Sequence, residues 1–284
     1  MRFQNKELLK RILLWSGTVA CLFLTGCAPK SVDYDNREAV YEKKGEYDLG
    51  ISDDTGALEV SPTDATAYYD SGLVYYNKGE YDQAISEFTK ALEINPMDAI
   101  AYYNRGLAYY NKGEYDQAVS EFTMTLAINP GHAAAYINRG IAYTNKGEHN
   151  QAVLDYTKAL EINPRLTVAY YNRGIAYAKN GEYDQAILDY TKVLEANPRL
   201  AVAYYNRGIA YTKKGEHDQA ISDYNKAIEI NAKEVGAYYN RAVAHYYKRE
   251  YNRAWDDVHK TQSLGLQFPP EFLKALREAS GRER

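Results

Sequence analysis

Apolar and polar residues follow a helical period through most of the chain, interrupted by short polar turns. From Ala65 to Tyr76, small and aromatic residues recur at helical spacing, which predicts a helix that stops at Gly79. Asn95-Pro96 ends a second helix, since the residue before proline avoids the α region. The apolar stripe of this second helix consists of Ala84, Ile85, Phe88, Ala91 and Leu92. The pattern therefore predicts a helix-turn-helix unit.

This unit returns every 34 residues with tyrosine, glycine, alanine and proline in fixed places. A fixed period of this length is typical of stacked repeats, in which each unit buries its apolar face against its neighbours. The sequence therefore predicts an all-α solenoid across residues 65–268. We number its repeats 1 to 6, and their ranges are 65–98, 99–132, 133–166, 167–200, 201–234 and 235–268.

The spacing of the fixed residues resembles the tetratricopeptide repeat (TPR). In repeat 1 the pattern reads Tyr68-x2-Ser71-Gly72-x2-Tyr75, then Ala84-x3-Phe88, then Pro96. The resemblance implies a right-handed α-solenoid in which the first helix of each repeat lines a concave groove. Gly72 recurs inside that helix, where glycine costs ~1 kcal/mol relative to alanine. We expect close helix packing to offset this cost, with Ala84-type residues opposite the glycine.

Both ends of the repeat array depart from the pattern. Residues 34–64 keep the register, but Gly50 replaces the small alanine and Asp54 replaces the aromatic residue, so we interpret them as a degenerate first repeat. Pro269-Pro270 begins a final amphipathic helix in residues 269–284. This helix is predicted to cap the solenoid, because the last repeat would otherwise expose its stacking surface.

The N-terminus has the pattern of a targeting sequence. A basic head precedes an apolar stretch from Ile12 to Leu24, which fits a secretory signal peptide and is too short to span a bilayer comfortably. Leu24-Thr25-Gly26-Cys27 resembles the lipobox of bacterial lipoproteins. A plain signal peptide with a chance cysteine and an uncleaved anchor are the alternatives.

The lipobox resemblance implies a set of modifications. Residues 1–26 would be removed, the sulfur of Cys27 would carry a diacylglyceryl group, and the new amino terminus could be acylated as well. Two or more acyl chains give stable membrane anchoring. Residues 27–33 would form a lipidated tether. Because Ala28 rather than Asp follows the cysteine, the resemblance implies the outer membrane, facing the periplasm, in a diderm bacterium.

Composition excludes several classes of protein. With 45% hydrophobic and 25% charged residues, the chain is neither wholly disordered nor a polytopic membrane protein. With a net charge of -4, the chain lacks the excess of basic residues that is typical of nucleic-acid-binding proteins. The 2 cysteines both fall within the first 27 residues, so no disulfide scaffold is expected.

Candidate catalytic chemistry is sparse. His149 and His217 replace tyrosines of the other repeats, which indicates aromatic packing. His245 and His259 are fourteen residues apart and lack a cysteine or fixed carboxylate partner, so we expect no metal site. No cofactor motif is recognisable, and we predict no enzymatic activity. The arginine before each helix glycine, of which Arg105 is the first, could bind phosphate or carboxylate; pairing with an acid such as Glu121, Asp155 or Asp189 is the favoured interpretation.

The family resemblance places one column of aromatic and one of amide side chains in the concave groove. Aromatic anchors beside amides suit an extended peptide or a helix, because tyrosine offers large contact area with few rotors and asparagine can bond a peptide backbone. A solvated wall without a ligand is the alternative. The predicted partner-binding residues are Tyr69, Tyr103, Asn104, Asn138, Tyr171, Asn172, Tyr205, Asn206 and Tyr239.

Together these features predict a membrane-anchored TPR lipoprotein that acts as a non-catalytic scaffold or adaptor in cell-envelope assembly. Its partner is expected to be a protein or peptide bound in the groove. The lipid on Cys27 is expected to attach the protein to the membrane, and no nucleic acid is expected to bind. Two alternatives stay open. One is an accessory subunit of an envelope enzyme, and the other is a peptidoglycan- or glycan-binding lipoprotein that stacks sugars on its tyrosines. The sequence does not identify the partner, the pathway or the oligomeric state.

Overall fold

The computed structural model describes residues 52, 54, 56, 58, 59 and 61–281. The predicted signal peptide, Cys27, the tether and most of the degenerate repeat lie outside these residues. Residues 61–281 form thirteen α-helices and no strand, so the all-α prediction is confirmed. The helices are α1 (Ala65–Lys78), α2 (Tyr81–Ile94), α3 (Ala99–Lys112), α4 (Tyr115–Ile128), α5 (Ala133–Lys146), α6 (His149–Ile162), α7 (Thr167–Asn180), α8 (Tyr183–Ala196), α9 (Ala201–Lys213), α10 (His217–Ile230), α11 (Val235–Tyr247), α12 (Tyr251–Ser263) and α13 (Pro270–Ser280).

The helices stack in sequence order as a solenoid. In each repeat the odd-numbered helix A packs against the even-numbered helix B, and helix B packs against helix A of the next repeat. The A helices of neighbouring repeats also touch one another directly. The A helices therefore lie on the inner side of the curve, as the resemblance implied. None of the helices described is long and apolar enough to cross a membrane.

An aspartate caps the start of helix A in repeats 1 and 2, and a glycine follows its end in repeats 1 to 5. The side chain of Asp98 caps α3, accepting hydrogen bonds from the backbone N–H groups of Ile100 at 2.8 Å and Ala101 at 3.0 Å. Gly113 ends α3 in the left-handed conformation, with φ 86°. Repeat 6 differs, because Arg249 takes this conformation with φ 62° in place of glycine. That backbone position is strained for a residue with a Cβ.

The structure shows the close packing predicted around the glycine of helix A, but an aromatic residue lies opposite the glycine in place of the predicted alanine. A Cβ added to Gly72 would lie 2.6 Å from the ring of Phe88, and a Cβ on Gly140 would lie 2.7 Å from the ring of Tyr156. The glycine therefore makes room for a buried aromatic ring on helix B. Ala84 is fully buried elsewhere in the same interface.

The C-terminal helix α13 covers the last repeat. Leu276 is fully buried and packs with Trp255, Val258 and Phe268 in one apolar cluster. The indole N–H of Trp255 donates a hydrogen bond to the hydroxyl of Ser280 at 3.1 Å. These contacts close the stacking surface of repeat 6, which is the capping role predicted for this segment.

Candidate functional site

The tyrosine and asparagine columns predicted for the groove bond to each other between successive repeats. The side-chain amide of Asn104 donates to the hydroxyl of Tyr69 at 2.7 Å, so the bond runs from repeat 2 to repeat 1. The same bond recurs at Asn138–Tyr103 (2.6 Å), Asn206–Tyr171 (3.0 Å) and Asn240–Tyr205 (3.2 Å). We call this series the inner ladder. It ties the A helices together and fixes most of the predicted site residues in place.

The inner ladder has one gap, between repeats 3 and 4. Ile137 stands where the other repeats have tyrosine, so no hydroxyl is available to Asn172. Among residues 61–281, the side chain of Asn172 has no hydrogen-bond partner, and the residue is partly exposed. An unpaired amide can donate two hydrogen bonds and accept others. Of the asparagines predicted in the groove, Asn172 is the one left open for a ligand.

A second series of bonds runs parallel to the inner ladder in the N-terminal repeats. Asn111 donates to the hydroxyl of Tyr76 at 2.7 Å, and Asn145 donates to the hydroxyl of Tyr110 at 2.8 Å. We call these bonds the outer ladder. In the next repeats Lys179 and Lys213 replace the asparagines, and the series stops.

The ladder phenols remain protonated at neutral pH. Burial raises the pKa of Tyr103, Tyr171 and Tyr205, and it raises the pKa of Tyr76 to about 12. Each of these hydroxyls accepts the amide hydrogen with a lone pair, so its own O–H is left as a donor.

Tyr239, the last predicted groove residue, contacts the segment that leads into the C-terminal cap. Its ring stacks on Phe268 with ring centroids 4.2 Å apart and an interplanar angle of 7°. Phe268 is itself 4% exposed. Phe268, at the end of repeat 6, therefore occupies one face of the Tyr239 ring, which a ligand would otherwise contact.

The arginine column is satisfied within the protein. In repeat 4 the guanidinium of Arg173 forms two hydrogen bonds of 2.8 Å to Asp189 and one of 3.0 Å to the hydroxyl of Thr157. The same guanidinium lies 5.6 Å from the ring centre of Tyr170. Equivalent bidentate pairs join Arg105 to Glu121, Arg139 to Asp155, Arg207 to Asp223 and Arg241 to Asp257. The predicted pairing with acids is confirmed, and the column is structural.

The histidines do not form a common site. His217 stacks on Tyr247 with centroids 5.1 Å apart, in keeping with its predicted aromatic role. The Nδ1 of His245 lies 2.7 Å from Glu250, and burial lowers the pKa of His245. His259 instead stacks on Trp255 at 5.7 Å. The two histidines thus have separate partners within the last repeat.

Lysines at the end of helix A form a third connection between repeats. Lys112 lies 2.6 Å from Asp82 of the preceding repeat and 2.6 Å from Glu114 of its own. Lys146, Lys214 and Lys248 repeat this arrangement. At the junction of repeats 3 and 4 it is neutral, because Asn180 replaces the lysine and bonds to Asn150 at 2.7 Å.

The structure is an all-α repeat scaffold with its polar columns on the inner face. Protein families with known repeat patterns match the same part of the chain. Models described as tetratricopeptide repeat match residues 99–132, 133–166, 167–200 and 201–233, and one described as TPR repeat matches residues 72–113. The chain therefore belongs to the tetratricopeptide repeat family. No curated protein matches it. Proteins built from these repeats are typically non-catalytic interaction scaffolds, and the repeats and their structural neighbours indicate that this chain is a protein-protein interaction scaffold.

Solved structures of TPR proteins are similar over much of the chain. YrrB, "a TPR protein with an unusual peptide-binding site", is 28% identical with a TM-score of 0.60, covering 65% of this chain and 95% of YrrB. MamA is 30% identical with a TM-score of 0.57, covering 60% of this chain and 93% of MamA. A TPR protein from Parabacteroides merdae is 22% identical with a TM-score of 0.62, covering 89% and 99%, and supports the fold alone.

Proposed function

We propose that the protein is a lipid-anchored, non-catalytic scaffold of the bacterial cell envelope that holds an extended segment of a partner protein in its groove. Membrane attachment is proposed from the resemblance of Leu24-Thr25-Gly26-Cys27 to a lipobox. Binding of a protein segment is proposed from the groove. YrrB, which is 28% identical, is described as having a peptide-binding site, which supports this choice of ligand.

One observation carries the groove assignment. Asn172 keeps an unpaired amide in the middle of a column whose other predicted members bond to tyrosines. A main-chain peptide group offers one donor and one acceptor, which a side-chain amide can match at the same time. Tyr171 directly precedes Asn172, and Tyr205 stands at the equivalent position of the next repeat. Both tyrosines are partly exposed. The groove therefore combines a backbone-recognition group with aromatic anchors.

The groove assignment can be tested by peptide selection on the full-length protein in detergent micelles, with a random 12-residue display library as the probe. Tyr171→Ala combined with Tyr205→Ala should reduce affinity for the selected peptides more than about thirtyfold, since truncating one aromatic hot spot typically costs ~2 kcal/mol. The matched control is Leu154→Ala with Leu188→Ala. These leucines are 67% and 66% exposed on helix B, and they also lie one repeat apart.

The control pair should leave affinity unchanged and the helical content intact. If the leucine pair weakens binding and the tyrosine pair does not, the partner docks on the outer face and the groove assignment fails. If the wild-type protein selects no peptide family, the proposal of peptide binding itself is wrong.

Anchoring is tested separately. Cys27→Ser should abolish incorporation of labelled fatty acid and release the protein from membranes, because the diacylglyceryl group would be attached to that sulfur. Ala28→Ser is a matched control that keeps the cysteine and should stay lipidated. If Cys27→Ser remains in the membrane fraction after a high-salt wash, the lipoprotein proposal is wrong.

A further inference from the structure

The lysines of the groove are unlike the other lysines that end the A helices. Lys179 and Lys213 are exposed, and no carboxylate within the described part of the chain lies within 4 Å of either ammonium group. The lysines at the neighbouring position each form ion pairs with two carboxylates, and they are Lys112, Lys146, Lys214 and Lys248. Two adjacent repeats therefore present positive charge that the protein does not neutralise locally.

The position of these lysines within the repeat places them in the groove. They replace Asn111 and Asn145 of repeats 2 and 3, which form the outer ladder with tyrosines of the preceding repeat. The tyrosine partners are absent here. Lys179 follows a repeat with Thr144, whose hydroxyl already contacts Tyr156 at 3.1 Å and the backbone. Lys213 follows a repeat with Ala178, which has no polar side chain.

The lysines share a helix face with the open amide. Asn172 precedes Lys179 by seven residues, which is two helical turns, so both side chains project from the same side of α7. Ile175 lies between them on that face. Repeat 5 has the same order with Asn206, Ile209 and Lys213, although Asn206 is bonded to Tyr171. The groove of repeats 4 and 5 thus combines an amide, an apolar strip and two cations.

We propose that repeats 4 and 5 select an extended acidic segment of the partner, with two Asp or Glu side chains two to four residues apart facing Lys179 and Lys213. This proposal rests on the proposed function of the groove and names the chemistry of its ligand. Asn172 bonds to the main chain of the segment, and Ile175 and Ile209 contact apolar side chains between the two acids.

The spacing is compatible with such a segment. Packed neighbouring helices lie about 8–10 Å apart, and residues two to four apart in an extended chain are separated by about 7–13 Å. One carboxylate can therefore reach each repeat without bending the peptide. At the position of Lys179 and Lys213, repeats 2 and 3 carry Asn111 and Asn145, so they give no comparable preference for charge.

The test is a random 12-residue display library selected on the full-length protein in detergent micelles, carried out in parallel on Lys179→Gln combined with Lys213→Gln. Peptides selected by the wild type should be enriched in Asp and Glu, and the variant should lose this enrichment. The affinity of the best acidic peptide should fall about four- to 25-fold in the variant at low salt, because each exposed ion pair contributes about two- to fivefold. At 1 M NaCl the difference should disappear.

The matched control is Lys158→Gln with Lys192→Gln. These lysines also lie one repeat apart and carry the same charge, but they project from the outer face and pair with Glu161 and Glu195. This variant should select the same acidic peptides with unchanged affinity. Replacing the acids of the best peptide with Asn and Gln should weaken binding to the wild type and have no effect on binding to the groove variant.

The outcomes separate this proposal from the proposed function. If peptides are selected and depend on Tyr171 and Tyr205 but are not acidic, the groove binds peptides and the charge preference is wrong. If the groove and control lysine variants lose affinity equally, general electrostatic attraction explains the effect and the proposal is overturned. If no peptide is selected, the proposed function fails and this proposal fails with it.

Discussion

The N-terminal and C-terminal halves of the groove are built from the same repeat but use their polar groups differently. In repeats 1 to 3 the inner and outer ladders pair asparagines with tyrosines of the preceding repeat. In repeats 4 and 5 the outer ladder is absent, Asn172 is unpaired, and Lys179 and Lys213 are exposed. A polar group already bonded within the protein must give up that bond to pair with a ligand, whereas one bonded only to water gains about 0.5–1.5 kcal/mol by the exchange.

The comparison teaches that a repeated sequence motif does not give a repeated site. Both halves carry an aromatic and an amide column in sequence, and the columns alone do not show which members are already bonded within the protein. The difference arises from a few substitutions, chiefly Ile137, Lys179 and Lys213. We therefore expect the first half to act mainly as a rigid support and the second half to bind the ligand.

The largest expected effect compares truncations in the two halves. Tyr171→Ala with Tyr205→Ala should weaken peptide binding more than about thirtyfold, whereas Tyr69→Ala with Tyr103→Ala should change it less than about threefold. Each double variant breaks two inner-ladder bonds, so the loss of stability should be similar. Calorimetric titration and thermal melting of both variants test this. Equal losses of affinity would abolish the distinction between the halves.

A smaller effect is expected from closing the gap in the inner ladder. Ile137→Tyr supplies a hydroxyl for Asn172, so the open amide becomes paired and peptide binding should weaken by about 0.5–1.5 kcal/mol. Ile137→Phe is the control, because it adds a ring without the hydroxyl. Competition binding with one labelled peptide compares the two. If both variants weaken binding equally, the bulk of the ring is responsible and the unpaired amide has no role.

The smallest effect concerns the neutral connection between the halves. Asn150→Asp with Asn180→Lys restores the ion pair found at the other junctions, and it should raise the Tm by no more than about 2 °C at low salt, because exposed ion pairs are weak. The gain should vanish in 1 M NaCl. Thermal melting at both salt concentrations measures this. A large gain at either concentration would mean that the junction is strained by its asparagines.

The fold follows closely from the sequence because its determinants are local. The 34-residue period located every helix pair in residues 65–263, and the prediction for the first helix A differs from the observed Ala65–Lys78 by two residues at its end. The residue opposite Gly72 was predicted wrongly as an Ala84-type residue. Which side chain of helix B faces the glycine depends on the rotation of that helix, and the apolar stripe alone does not specify it.

The site was predictable only in part. The arginine pairs could be foreseen because each arginine and its acid lie within one repeat, sixteen residues apart. The ladders join residues 35 apart in different repeats, so they depend on the angle between repeats. Sequence reasoning therefore identified the columns without recognising that their members bond to each other. The sequence does show that Ile137 interrupts an otherwise unbroken column of tyrosines, and this substitution marks the junction where the ladder is missing.

The gap at Ile137 also has a mechanical consequence. At the junction of repeats 3 and 4 both ladders are missing within the described chain, while a broad apolar cluster from Ile137 to Ala176 spans the two repeats. Hydrogen bonds are directional and resist rotation, whereas apolar contact is non-directional and tolerates small sliding movements. Hydrogen bonds from Arg173 to Thr157 and from Asn180 to Asn150 still cross this junction, so we expect the A helices, which lack both ladders here, to slide past one another more easily than at the other junctions.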